Sequence, residues 1–391
     1  MRIALVLLIS MFILPLLASV VPLSLDEQLR DSQAIVDVTV TGKTTVEKGR
    51  AKFIYTRYSF EVHETLYGSV SRELSLDFGG GEKGEIGMAI SEVPGLVTGA
   101  RYLLILESVD KPLICPIVGS YQGLYQAVAN PSGVLELQDS AGRSFSPEPG
   151  ITDYPGFLSY LRSRISYAKS LPQPNRVPLP SSEPYIIKNT QSKLFNPGFT
   201  PDLGAVVRPG RRTPSSVLPE APMIDSQPLA PIITEPVAGG DRLTFDLWWQ
   251  PLSCTFNQLV DTDPFSPHDE WQMAYWNEFT DMFRMLDNPV ASWDFGNSVN
   301  DMVGVVDDDT YLDVFGGHWG SGVLGVCHFL YYANNHRLIE ADIALNDAYT
   351  WSTDSYAVYD DAAVWPIDQT LLHELGHAVG EIGRASCRER V

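Results

Sequence analysis

Leu371-Leu372-His373-Glu374-Leu375-Gly376-His377-Ala378-Val379-Gly380 decides how the rest of the chain is read. The spacing predicts a helix carrying H-E-x-x-H. Positions i and i+4 share a helix face, so His373 and His377 can point at one ion. Glu374, next to the first histidine, can reach a water beside that ion. Two imidazoles and an adjacent carboxylate are the parts that zinc-assisted peptide hydrolysis requires. Asp368 is the predicted cap of this helix, and Leu371, Leu372, Leu375 and Ala378 its buried face.

Upstream of the helix, a second region begins near Arg242. Leu243–Trp249 reads as a strand, and Asp269–Leu286 as an amphipathic helix capped by Ser266 with Pro267 as its first residue. Asp301–Asp307, Gly322–Cys327 and Leu338–Asn346 read as strands. The last alternates Ile339, Ala341, Ile343 and Leu345 against Glu340, Asp342 and Ala344, the pattern of a strand with one buried face. The order of elements predicts an α/β arrangement with the motif helix under a sheet. The fold class expected for the whole chain is α+β multidomain.

The chain has 391 residues, enough for two domains and connecting material. Residues 23–150 are expected to form a β-rich domain, a small barrel or sandwich. Ala34–Val40 and Phe53–Val62 alternate apolar and polar residues, and further short strand candidates follow with turn-rich pieces between them. Gly79–Gly84 lacks the lysine and the strand-to-helix context of a phosphate loop and reads as a hairpin loop. Residues 151–170 are predicted to be a helix docked on this domain through Phe157, Leu158, Leu161 and Ile165. Residues 171–240 are dense in proline and read as a linker, the alternative being a propeptide-like stretch lying across the next domain.

Hydrophobic residues make up 44% of the chain, and the formal net charge is −21. Lysine and arginine are not in surplus, which argues against nucleic-acid binding. Met1-Arg2, the apolar run Ile3–Leu17 and the small pair Ala18-Ser19 read as a signal peptide over residues 1–18, so a secreted, periplasmic or cell-envelope location is expected. No later segment is apolar for long enough to span a membrane. Four cysteines do not make a disulfide scaffold. Cys254 and Cys327 could pair in an exported protein or remain buried thiols.

Ile367–Gly380 resembles the zinc site of the metzincin endopeptidases, most closely the matrixin-like branch. Gly322–Val326 and Glu340–Asn346 look like that family's central and edge strands, so the resemblance covers residues 241–380. It implies zinc on His373 and His377, Glu374 as general base and later proton donor, a protein or peptide substrate, and a sharp chain turn at Gly380. The family's third ligand follows three positions after that glycine, and here the position is Gly383. Residues 381–391 match translated sequencing adapter, so Cys387 is expected not to be native and the 391-residue chain to have little or no peptidase activity. Matrixins also hold calcium and a second, structural zinc in loops of the kind formed by Asp307, Asp308, Asp309 and Asp313 and by His318, His328 and His336. The family's spacing is not reproduced there, and ordinary surface groups are the preferred reading. Leu113–Val118 reads as a buried strand, which sets aside a latency role for Cys115. The competing function is a non-catalytic exported binding protein with a degenerate peptidase module.

Overall fold

The computed structural model describes residues 20–138, 146, 150–151, 153–172, 253–259, 284–290, 295–296, 300–352 and 364–378. The expected signal peptide, nearly all of the proline-rich segment, the expected strand 243–249, most of the expected helix 269–286 and residues 379–391 lie outside these residues.

Helix α1 (Leu25–Asp31) starts at Ser24, whose side chain and that of Glu27 form a reciprocal capping box. Eight strands follow: β1 (Ala34–Lys48), β2 (Phe53–Tyr67), β3 (Glu73–Gly79), β4 (Gly81–Lys83), β5 (Ile86–Ile90), β6 (Arg101–Leu106), β7 (Leu124–Ala129) and β8 (Leu135–Gln138). Helix α2 (Tyr154–Ser170) is capped by Asp153, with Pro155 in its first turn. The N-terminal region is therefore mostly β with few helices. Its main sheet is open, six-stranded and ordered β3-β2-β1-β6-β7-β8, not the predicted barrel or sandwich. The alternation in β1 and β2 was legible, but closure depends on whether the end strands meet, and here they do not.

Helix α2 docks as predicted. Phe157, Leu158, Leu161 and Ile165 pack with Ile35, Leu103, Ile105, Tyr125 and Leu137. Beneath it, buried Asp37 accepts from Nε and Nη2 of Arg101 and from the Tyr154 hydroxyl, tying β1, β6 and α2 together.

In the second region, β9 (Ser253–Leu259), β10 (Arg284–Val290) and β11 (Asn300–Val306) precede helix α3 (Asp308–Phe315). Strands β12 (Gly325–Tyr332), β13 (Leu338–Asn346), β14 (Thr350–Ser352) and β15 (Val364–Pro366) lead to the motif helix α4 (Ile367–Ala378). Arg284–Leu286, expected at the end of a helix, belong to β10. Helix α3 replaces the predicted acidic loop, because Asp307 caps it by accepting from Thr310 N and Gly316 ends it in a left-handed conformation. Helix α4 starts one residue before Asp368, which lies in its first turn rather than capping it.

The two regions share one sheet, ordered β10-β9-β11-β13-β12-β5-β4. Strand β13 sits between β11 and β12, whereas β12 is outermost among the second region's own strands. The roles expected for Gly322–Val326 as central and Glu340–Asn346 as edge are thus reversed. Both faces of β13 are buried because α4 covers one and the cluster around α3 covers the other. Ala341, Ile343 and Leu345 pack with Leu371, Leu375 and Ala378 of α4. Glu340 and Asp342, read as a polar outer face, are fully buried on the other side.

Strand β5 runs antiparallel to β12, pairing His328 with Ile90 through to Tyr332 with Ile86. The Tyr331 ring lies over Gly87, where a Cβ would fall 2.1 Å from Cζ, so only glycine allows this approach. A second junction joins the β1–β2 hairpin tip to the end of α3. Arg50 N and Ala51 N donate to Asp313 O and Val314 O, and Tyr55 donates to Phe315 O. Gly49, at φ +66°, would carry a Cβ 2.3 Å from Val314 O. Gly49→Ala therefore meets rigid backbone in a left-handed conformation. It is expected to lower stability by about 2 kcal/mol or more, read as a lower urea midpoint with an unchanged slope.

Candidate metal centre

Helix α4 places His373 and His377 one turn apart on a buried face. Their Nε2 atoms are 2.9 Å from each other, with the rings at 80°. A third group, unanticipated from the sequence, joins them: Glu92 Oε1 lies 3.5 Å from His373 Nε2 and 3.4 Å from His377 Nε2. Among the described residues these three form the only group of three potential metal ligands. Desolvation pushes the Glu92 carboxyl upward, but the hydrogen bonds and charges of the two histidines outweigh it and hold the group well below the usual carboxylate range.

Glu92 follows β5 in a tight turn in which Val93 N donates to Ile90 O. Its φ is +65°, at the position of such a turn that favours glycine or asparagine. Ser120, itself at φ +61°, donates its hydroxyl to Glu92 O at 2.6 Å. The preceding residue reaches the motif as well. Ser91 Oγ accepts from Cys327 N at 2.9 Å and donates to Glu374 Oε2 at 3.3 Å. Glu374 is fully buried.

The geometry fits a tetrahedral ion. Bonds of about 2.0–2.2 Å separate tetrahedral ligand atoms by roughly 3.3–3.5 Å, and two of the three observed edges match while the His–His edge is somewhat shorter. Two imidazoles and one carboxylate are also a donor set that holds catalytic zinc.

The other candidates do not converge. Asp307 is a helix cap, Asp308 accepts from Trp319 N and pairs with His318 Nδ1, and Asp313 pairs with Arg50. His336 faces Glu82 at 3.7 Å. Cys115 is buried, donates to Ser120 O, and is pushed up to about 12 by that burial, so its thiol stays protonated. Cys327 is buried in β12; the side chain of Cys254 lies outside the described residues. Glu92 was missed because its partners are far away in the sequence: neighbouring Ser91 and its contact Glu374 are 283 residues apart.

No family model matches the chain, and no curated protein or solved structure matches it.

His328 is a core residue. It is fully buried, bonded to the Tyr311 hydroxyl at 2.9 Å and stacked on Phe315 with ring centroids 4.1 Å apart. Burial lowers its pKa from 6.5 to about 3. The unfolded chain then binds the proton that the folded chain refuses, so this site's stability is full above pH 6.5 and is lost progressively as pH falls towards 3. His328→Phe, which keeps the stacking, is expected to flatten the fall in unfolding free energy across that window by about 1.4 kcal/mol per pH unit. Urea titrations at several pH values measure it.

Proposed function

We propose that the chain is an exported zinc endopeptidase of α+β class, with a metzincin-like catalytic region in which His373 and His377 hold the ion. The observation that carries this reading is the convergence of both Nε2 atoms on one point beside buried Glu374. Zinc, when bound, lowers the pKa of water towards 7 and polarises a scissile carbonyl. Glu374 accepts the proton of the attacking water and returns it to the leaving amine. Its setting beneath β12 keeps bulk solvent away, which strengthens its interaction with developing charge. Strand β12 lies beside the motif helix, and a peptide would align on it through main-chain hydrogen bonds only along the edge that β5 occupies. Among the described residues no helix is long and apolar enough to cross a membrane.

Metal analysis tests the ligands. His373→Ala and His377→Ala are each expected to abolish stoichiometric zinc, and either variant retaining one ion per chain at unchanged affinity would refute the assignment. In any form of the protein that turns over peptide, Glu374→Gln is expected to keep zinc and lower kcat/KM at least about a hundredfold, the scale of a general acid–base contribution.

A further inference from the structure

We propose that Glu92 is a protein ligand of the same ion as His373 and His377, and that β5 with its turn fills the place along β12 where a peptide would lie. The N-terminal region would then hold the site closed. This inference rests on the zinc reading above and assigns the site its third protein ligand and its occupant.

Three independent features point the same way. First, Glu92 Oε1 is nearly equidistant from the two Nε2 atoms, at 3.5 and 3.4 Å, as one corner of a coordination polyhedron would be. Second, the Glu92 backbone is strained. A side-chain-bearing residue at φ +65° is disfavoured, and glycine would relieve it. The conformation is held in place by the Ser120 hydroxyl on the Glu92 carbonyl. What the strained turn gains is the direction of the carboxylate. Third, the strand leading to Glu92 is bound as an added strand. Residues 86–90 pair antiparallel with β12, and Ser91 prolongs the pairing through its main-chain N–H to Cys327 O. Ser91 Oγ then reaches Glu374, so consecutive residues engage both the ligand pair and the general base.

A peptide adding to β12 would need the main-chain groups that β5 already uses, and a zinc-binding group on it would compete with Glu92 for the ion. Departure of β5 frees both at once.

The test uses the full chain with Glu92→Gln, a neutral isostere, and Glu92→Gly, which suits the turn. Zinc affinity is measured by chelator competition, and the coordination sphere by visible absorption of the cobalt(II)-substituted chain. Both variants are expected to weaken zinc about tenfold or more and to change the cobalt spectrum. A cooperative urea transition of the metal-free variants shows that they fold. At saturating zinc, Glu92→Gly is expected to bind a peptide hydroxamate at least about tenfold more tightly than the unchanged chain, the gain from removing an internal competitor. Unchanged zinc affinity and cobalt spectrum in both variants overturn the ligand assignment. Equal hydroxamate affinity overturns the occupancy. A parallel His373→Asn chain separates these from the broader reading: if it too retains zinc, the zinc site itself is wrong.

Discussion

The main-chain ladder between β5 and β12 is the constraint on which the rest depends. It turns the outermost strand of the second region into an interior one and carries residues 91 and 92 onto the motif helix. Without it, β12 would present a row of unpaired N–H and C=O groups beside α4. With it, Cys327, Phe329 and Tyr331 on one face pack in the cluster of α4, while Val326 and Leu330 on the other face pack in the cluster of α3 and the β1–β2 hairpin. The geometry of the histidine pair is therefore set on one side by its own helix and on the other by a strand from the opposite end of the chain.

The parts of this arrangement that were legible in the sequence are local. The i, i+4 spacing of His373 and His377 sufficed to put both imidazoles on one point. The stripe in α2 and the alternation in β1 and β2 likewise gave elements in their right places. What escaped is non-local or contrary to local preference. The alternation of β13 reads as one polar face because the sequence does not say what packs on each side of the sheet; the layer around α3 buries Glu340 and Asp342 regardless of their charge. The acidic run at Asp307–Asp309 looked like a loop, yet the same carboxylates favour a helix N-terminus, where they face its unpaired N–H groups. Glu92 occupies a turn position whose backbone favours glycine, so no propensity rule marks it. Such breaches of local consistency are where function is to be sought.

Contacts away from the site reinforce the ladder. Val21 N donates to Gly322 O, Ile114 N to His318 O, and Ser321 places its N–H and hydroxyl on Glu107. More important is the cluster that unites Phe53, Tyr55, Ile86, Met88 and Ile90 with Phe295, Tyr311, Phe315 and Leu330. Apolar burial of that extent, unlike a polar domain interface, makes two regions fold as one cooperative body.

That shared core changes what cleavage of the backbone between Leu171 and Ser253 would accomplish. The two pieces would remain a non-covalent complex, because every described sheet strand and core residue stays with one of them. The released property would be molecularity: separation of the halves would become bimolecular and dependent on dilution, whereas in the uncut chain the tether returns β5 to β12 at a high effective concentration. Opening would then be governed by the lifetime of the fragment complex rather than by the cut itself, and the freed N-terminal piece would retain the surface with which to rebind.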